Sequence, residues 1–381
     1  MSEKGPISGH YLFKALKDEN TIIIANNCRS TIGVMDGICR AAKEKDAAII
    51  FEIARTESNL EGGYVGMTPA VYAEKAKAAT EKAGLDIWAL HADHIGVKKG
   101  TREEIEDVKE LIKAQIAAGF TSFAIDASHL FDFDAKDVKG ELKPNLDATI
   151  ELAKFIEEKM QGKSYGLEVE VGEIGRKTTE GLILTSAEEA VTFIKELNAQ
   201  GVKPDVIAIA NGSIHGNVYD EDGHLMPLLS INVPRTKEIA EAMRVEKLDV
   251  RIAQHGITGT PLEFIATKFP KQAIVKGNVA THWQNITWEV LKVYRPELWE
   301  KISKWVLETF GAEGKEKGMK SDEEIIGKYS KKAFKQFYDE IEKLDEEIVK
   351  AIEAQAYADA LLFFKAFEAE GSAEKVRKIL K

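Results

Sequence analysis

Eight short apolar runs recur along the first three quarters of the chain, each followed by a stretch with helical spacing. They are 21–28 (TIIIANNC), 47–54 (AAIIFEIA), 85–93 (LDIWALHAD), 122–128 (SFAIDAS), 166–171 (GLEVEV), 206–211 (VIAIAN), 251–255 (RIAQH) and 273–279 (AIVKGNV). Several are nearly continuous in apolar residues, as strands buried on both faces must be. The segments between them read as amphipathic helices, and two carry a start signal. Thr101 with Glu104, and Ser186 with Glu189, fit a capping box ahead of an apolar stripe. A short helix is expected before the first run, around residues 11–17. Eight such units in about 270 residues fit a closed (β/α)8 barrel with its working face at the C-terminal strand ends. An open doubly wound sheet would want a glycine-rich phosphate turn after its first strand, and CRSTIGVMDG is no such turn.

The expected architecture is therefore α/β, a (β/α)8 TIM barrel over residues 1–293, with a helical C-terminal extension over 294–381. The extension has its own stripe: Ile341, Leu344, Ile348, Ile352, Ala356, Leu362 and Phe363. A stripe of that kind favours a helix docked on the barrel or on a neighbouring subunit.

Charge narrows the partners. A net charge of −11 argues against nucleic acid or an anionic membrane as the main partner. No run of about 18 apolar residues suggests a membrane span, and the first twenty residues lack the apolar centre of a signal peptide. Cys28 and Cys39, the only cysteines, form no CxxC pair and give no disulfide framework, so a reducing cytoplasm is the expected setting.

The chemistry gathers at the strand ends. The third run delivers His91, Asp93 and His94; the fourth ends in Asp126, Ser128 and His129; the fifth places Glu168 and Glu170 on one face. The sixth runs into Asn211-Gly-Ser-Ile-His215-Gly216, the seventh into His255-Gly256-Ile257-Thr258-Gly259, the eighth into Asn278-Val-Ala-Thr281-His282. His94, His215 and His255 are the candidates for a three-histidine metal site, since neutral imidazoles with one open position are a common catalytic zinc arrangement. The glycines let backbone N–H groups approach an anion closely. Asn26 and Asn27 close the first strand and are candidates to orient a substrate. His10 and His224 read as surface residues, His129 and His282 as structural ones.

In order and spacing, the strings ALHADH, FAIDASH, LEVEVG, ANGSIHG, QHGITG and KGNVATHW resemble the class II, metal-dependent fructose-bisphosphate aldolases across residues 21–293. The resemblance implies a zinc-dependent enzyme, or one using another divalent transition metal. It would reversibly cleave a ketose phosphate, fructose 1,6-bisphosphate first, to dihydroxyacetone phosphate and glyceraldehyde 3-phosphate through a metal-stabilised enediolate. It makes His94, His215 and His255 the ligands, with Glu170 and Asp126 as acids near the metal and Asp93 as the catalytic carboxylate. It puts the base for the carbon-bound proton in the acidic loop after the fifth strand, where Glu180 comes first and Glu173 second. Gly216, Gly256, Thr258 and Thr281 would hold the phosphate and Asn278 would lie near the enediolate. Lys331 or Lys332 would read a far phosphate, and a homodimer or homotetramer is the family's habit. The family's Asn-x-Asp-Thr-Asp reads Asn278-Val279-Ala280-Thr281-His282 here, which loses two carboxylates beside the substrate. The alternatives are an aldolase for tagatose bisphosphate or another sugar phosphate, and a non-catalytic sugar-phosphate-binding relative.

Overall fold

In a computed structural model, which describes residues 5–172, 177–178, 181–214, 216–220 and 225–381, the eight runs form one closed parallel barrel. The staves are β1 (Ile23–Asn27), β2 (Ile49–Ala54), β3 (Trp88–Gly96), β4 (Ser122–Asp126), β5 (Gly166–Val171), β6 (Val206–Ile209), β7 (Arg251–Gln254) and β8 (Ile274–Val279). They pair in sequence order, and β8 closes on β1 with Ala25 opposite Asn278. Hydrophobic side chains of both strand faces are buried, because helices cover the outside and side-chain layers fill the inside. Two short hairpins, Lys177–Thr178 with Gly181–Leu182 and Val218–Tyr219 with Leu225–Met226, decorate the loops after β5 and β6; the sequence pattern does not suggest them.

The helices start where the capping residues stand. Thr101 Oγ1 accepts from Glu104 N ahead of Arg102–Ala117, and Ser186 and Glu189 cap each other's backbone ahead of Ala187–Ala199. The leading helix, α1 (Gly9–Leu16), lies under the N-terminal end of the barrel, where Leu12, Phe13 and Leu16 join the lower core layer with Ala89 and Val206. His10 keeps its side chain 38% exposed, and its Nδ1 lies 2.6 Å from Asp205 Oδ1 on the loop before β6.

After the barrel the chain is helical to its end, and the long helix Glu346–Ala366 packs along Val34–Lys45, the helix that follows β1. Gly37 permits that approach, since a Cβ there would collide with the carbonyl oxygen of Glu353. Most of the expected stripe is buried, but Leu362 is 55% exposed and Ala360 takes the inward position. At 100° per residue, 356, 360 and 363 share a face and 362 falls about a third of a turn away. Among the described residues no helix is long and apolar enough to cross a membrane.

Candidate metal centre and substrate pocket

β3 carries its chemistry on two geometries. Strand alternation turns His91 and Asp93 into the barrel, where both are buried. At His94 the alternation breaks: the register with β4 shifts between Ala92 and Ile95, and His94 takes φ 39°. Left-handed backbone is uncommon outside glycine and concentrates at functional positions. The bulge lifts the ring toward the mouth, where carboxylates hold it. His94 Nδ1 lies 3.2 Å from both Asp126 Oδ2 and Glu170 Oε2, and Nε2 lies 3.9 Å from Asp93 Oδ2.

His255, the first residue after β7, brings its ring to 4.6 Å from that of His94. Its Nε2 is 3.0 Å from Glu168 Oε1, which leaves the Nδ1 edge turned away from that acid. Ligand atoms of Asp93, His94 and His255 all lie within 4.8 Å of one another, as do those of His94, Asp126 and Glu170. Gly256 shapes this corner; its φ is +66°, and a Cβ would sit 2.7 Å from Ile214 O.

The electrostatics follow from three acids converging on one imidazole. Burial opposes ionisation of Asp93, but the charges of His94, Lys276 and His255 outweigh it and bring the carboxyl down to about 2. Burial likewise opposes charge on Asp126, yet hydrogen bonds and charge from His94, with help from Ser128, hold it below the usual range. Glu170 moves the other way, raised by burial and by the charge of Asp126. His94 is raised well above an ordinary histidine: burial disfavours its cation, and Asp93 and Glu170 overcome that. The cluster draws positive charge to itself.

Below the cluster lies a charged layer that sequence reasoning missed. Lys276, at the centre of β8 and 0% exposed, donates to Glu168 Oε2 at 2.7 Å, sits 3.0 Å from Glu52 Oε2 and reaches His91 Nε2 at 3.2 Å. With Nε2 accepting from the lysine, His91 donates through Nδ1 to Ser122 Oγ at 2.7 Å. Burial lowers the pKa of His91 and raises that of Glu52 to about 8, the nearby Asp93 charge adding to the latter. Glu168 stays ionised against its burial because Lys276 and His255 face it. Lys276 is therefore the cation that Glu168, Glu52 and Asp93 all face inside the barrel, with Asp93 Oδ1 3.6 Å away. The available signal was a lysine in the middle of an otherwise small and apolar strand.

A cavity of about 70 Å³ opens on this cluster, lined by Asp93, His94, His255, Gly256, Asn278 and Thr281 among others; Gly216 and Thr258 also border it. Asn278 Nδ2 donates to Asp93 Oδ1 at 3.2 Å. The amide oxygens of Asn278 and Asn27 are buried with no hydrogen-bond donor among the described residues. A second cavity of about 550 Å³ also borders His94, together with Asp126, Ser128, His129 and Glu170.

Asn26 instead donates to Ile50 O within the barrel wall. His282 is fixed by Asp359 at 2.8 Å and by the rings of Trp283 and Phe363. Lys332 lies over the rings of Phe310 and Tyr329, while Lys331 lies over that of Tyr64. His215, Glu173, Glu180 and His224 fall outside the described residues.

The donor set suits a divalent transition metal: two imidazoles and a carboxylate within reach of each other, two further acids behind one imidazole, and a carboxylate fixing the other. Fold and cluster together define an α/β barrel with a metal-competent carboxylate–imidazole centre at its C-terminal mouth. Residues 8–355 match the family described as fructose-bisphosphate aldolase class-II, and the chain belongs to that family.

Among solved structures, the YdjI aldolase of Escherichia coli K12 superposes with a TM-score of 0.59 at 17% identity, covering 96% of this chain and 99% of that one. The fructose-bisphosphate aldolase of Campylobacter jejuni does so at 0.61 and 18%, covering 97% of each chain. Among characterised relatives, the D-tagatose-1,6-bisphosphate aldolase subunit GatZ of Escherichia coli O157:H7 is 30% identical over 111 residues, 28% of this chain and 26% of that protein. The D-tagatose 6-phosphate 4-epimerase of Agrobacterium fabrum is 28% identical over a stretch of the same length and coverage. The chain thus spans about a quarter of the length of these relatives.

Proposed function

We propose that the chain is a zinc-dependent aldolase that reversibly cleaves a ketose phosphate, with fructose 1,6-bisphosphate first, to dihydroxyacetone phosphate and glyceraldehyde 3-phosphate. The observation that carries this reading is the convergence of Asp93, His94 and His255 beside a cavity that Asn27 and Asn278 also line. A divalent ion held there by His94 and His255, with His215 as the third proposed ligand, would supply Lewis-acid polarisation of the ketone.

The remaining work falls to the chain's own groups. Asp93 is ionised and fixed by Asn278, so it can take the proton of the C4 hydroxyl in cleavage and return it in addition. Asn27 and Asn278 can each accept from a substrate hydroxyl, since a buried amide oxygen without a donor carries a desolvation cost that a substrate relieves. Glu180 is the proposed carrier of the carbon-bound proton. Gly216, Gly256, Thr258 and Thr281 border the same cavity and are proposed to hold the phosphate through backbone N–H and hydroxyl groups. A homodimer or homotetramer in the cytoplasm completes the reading, and the buried thiols of Cys28 and Cys39 suit a reducing compartment.

A second reading draws support from the epimerase relative. Breaking and remaking the C3–C4 bond with the aldehyde turned over in place inverts C4 without releasing fragments, using the same groups.

The test is an assay of fructose and tagatose mono- and bisphosphates with added zinc and with chelator. Release of dihydroxyacetone phosphate that chelator abolishes is expected. Interconversion at C4 without fragment release would favour the epimerase, and binding with no turnover of any ketose phosphate would overturn both.

A further inference from the structure

Arg29, two residues past β1, has no place in the site that the family strings mark out, yet it borders the same cavity. Its side chain is only 12% exposed. Nε donates to Glu57 Oε1 at 2.6 Å, and Nη1 donates to Thr281 Oγ1 at 3.1 Å and Gln284 Oε1 at 3.2 Å. Glu57 is itself clamped. Tyr64 donates to its Oε1 at 2.8 Å, while Asn27 Nδ2 and the Ala54 backbone donate to Oε2 at 2.7 and 2.8 Å.

This is not how a buried arginine is usually neutralised. A structural pair would present both guanidinium edges to a carboxylate as a fork. Here Glu57 takes Nε alone and aims the Nη edge at the Thr281 hydroxyl. Lys331 Nζ, from the C-terminal helices, lies 5.5 Å from the centre of the Tyr64 ring. Burial, then the charge of Arg29, pulls its amine down to about 8. The Nη edge of Arg29 is thus held beside Thr281 at the cavity, where an anion could take it up.

We infer that Arg29 is the charged half of the subsite that takes the substrate's phosphate, and that it selects a phosphorylated ketose over an unphosphorylated one. The inference rests on the reading of this cavity as a ketose-phosphate site. The cation arrives from the loop that follows the first stave.

The test is titration calorimetry of the zinc-loaded protein with inorganic phosphate and with dihydroxyacetone phosphate, alongside solvent hydrogen exchange into dihydroxyacetone phosphate and dihydroxyacetone. Arg29→Met should weaken both phosphate ligands by roughly 10- to 100-fold, the worth of one charged hydrogen bond. In exchange it should raise KM for the phosphorylated ketose by a far larger factor than KM for dihydroxyacetone. Arg29→Lys should fall between. Because Arg29→Met strands a buried carboxylate, the double variant Arg29→Met/Glu57→Gln carries the same expected loss of phosphate affinity in a chain without that charge. Wild-type affinity for phosphate in either variant overturns the inference, and so does an equal loss for dihydroxyacetone. Arg29-dependent binding without any hydrogen exchange would sink the aldolase reading and leave the subsite standing.

Discussion

Glu168 accepts from His255 on one side and from Lys276 on the other, which links the proposed metal ligand to the charge balance of the barrel interior. Removing its charge should therefore be felt at the metal. Glu168→Gln would present an amide to both donors, and outer partners of a metal-bound histidine commonly govern affinity by about 10–100-fold. Competition with a chromophoric chelator should show zinc weakened by that factor; unchanged affinity would mean that Glu168 serves the fold alone. Lys276→Met poses the complementary question. It leaves the Glu168 carboxylate buried without its cation, a change that typically costs about 3–5 kcal/mol. Urea unfolding should show a loss of that size, largely recovered in Lys276→Met/Glu168→Gln. If the double variant is no better than the single one, the stabilising role of Lys276 is steric rather than ionic.

At the scale of elements, α1 is tied to the barrel floor by His10 and Asp205. The Asp205 hydrogen bond, working against burial, raises His10 above its ordinary value near 6.5. A raised folded-state value means that the ionic contribution is fully present below about pH 6.5 and fades as pH climbs through the folded value. The melting temperature of wild type should exceed that of His10→Gln most at pH 5.5, with the gap closing by pH 9. A gap that widens with pH would reverse the assignment. The same element shows what periodicity reads well and what it reads poorly. All eight strands were legible because doubly buried staves are apolar runs, but their starts came two or three residues early at β1, β2 and β3. Leu85 and Ile87 explain this: both are buried below the ladder before the hydrogen bonding of β3 begins at Trp88. Hydrophobicity reports burial, and burial continues past the pairing. The polar layer was hidden for the same reason, since an apolar pattern absorbs Lys276 as an exception. Arg29 was passed over because its meaning depends on Glu57 and Tyr64, which only the fold brings near it.

For the whole molecule, the decisive feature is that one cluster joins staves far apart in sequence: Asp93 and His94 from β3, Asp126 from β4, Glu170 from β5 and His255 after β7. An ion bound there would cross-link the barrel across much of its circumference, and it would answer the excess of carboxylates around His94. Unfolding separates those donors, so binding to the folded state alone should stabilise the entire chain by mass action. At a free zinc concentration 100 times the dissociation constant, that amounts to about 2.7 kcal/mol. Melting curves of chelator-treated protein should therefore move up by several degrees on adding zinc, with the shift growing logarithmically once the site is filled. His255→Ala should lose most of this response, because it removes one of the two described imidazoles while leaving the lysine-centred layer its own ion pair. A full zinc-dependent shift in His255→Ala would place the stabilising ion elsewhere, and with it the chemistry proposed for the mouth of the barrel.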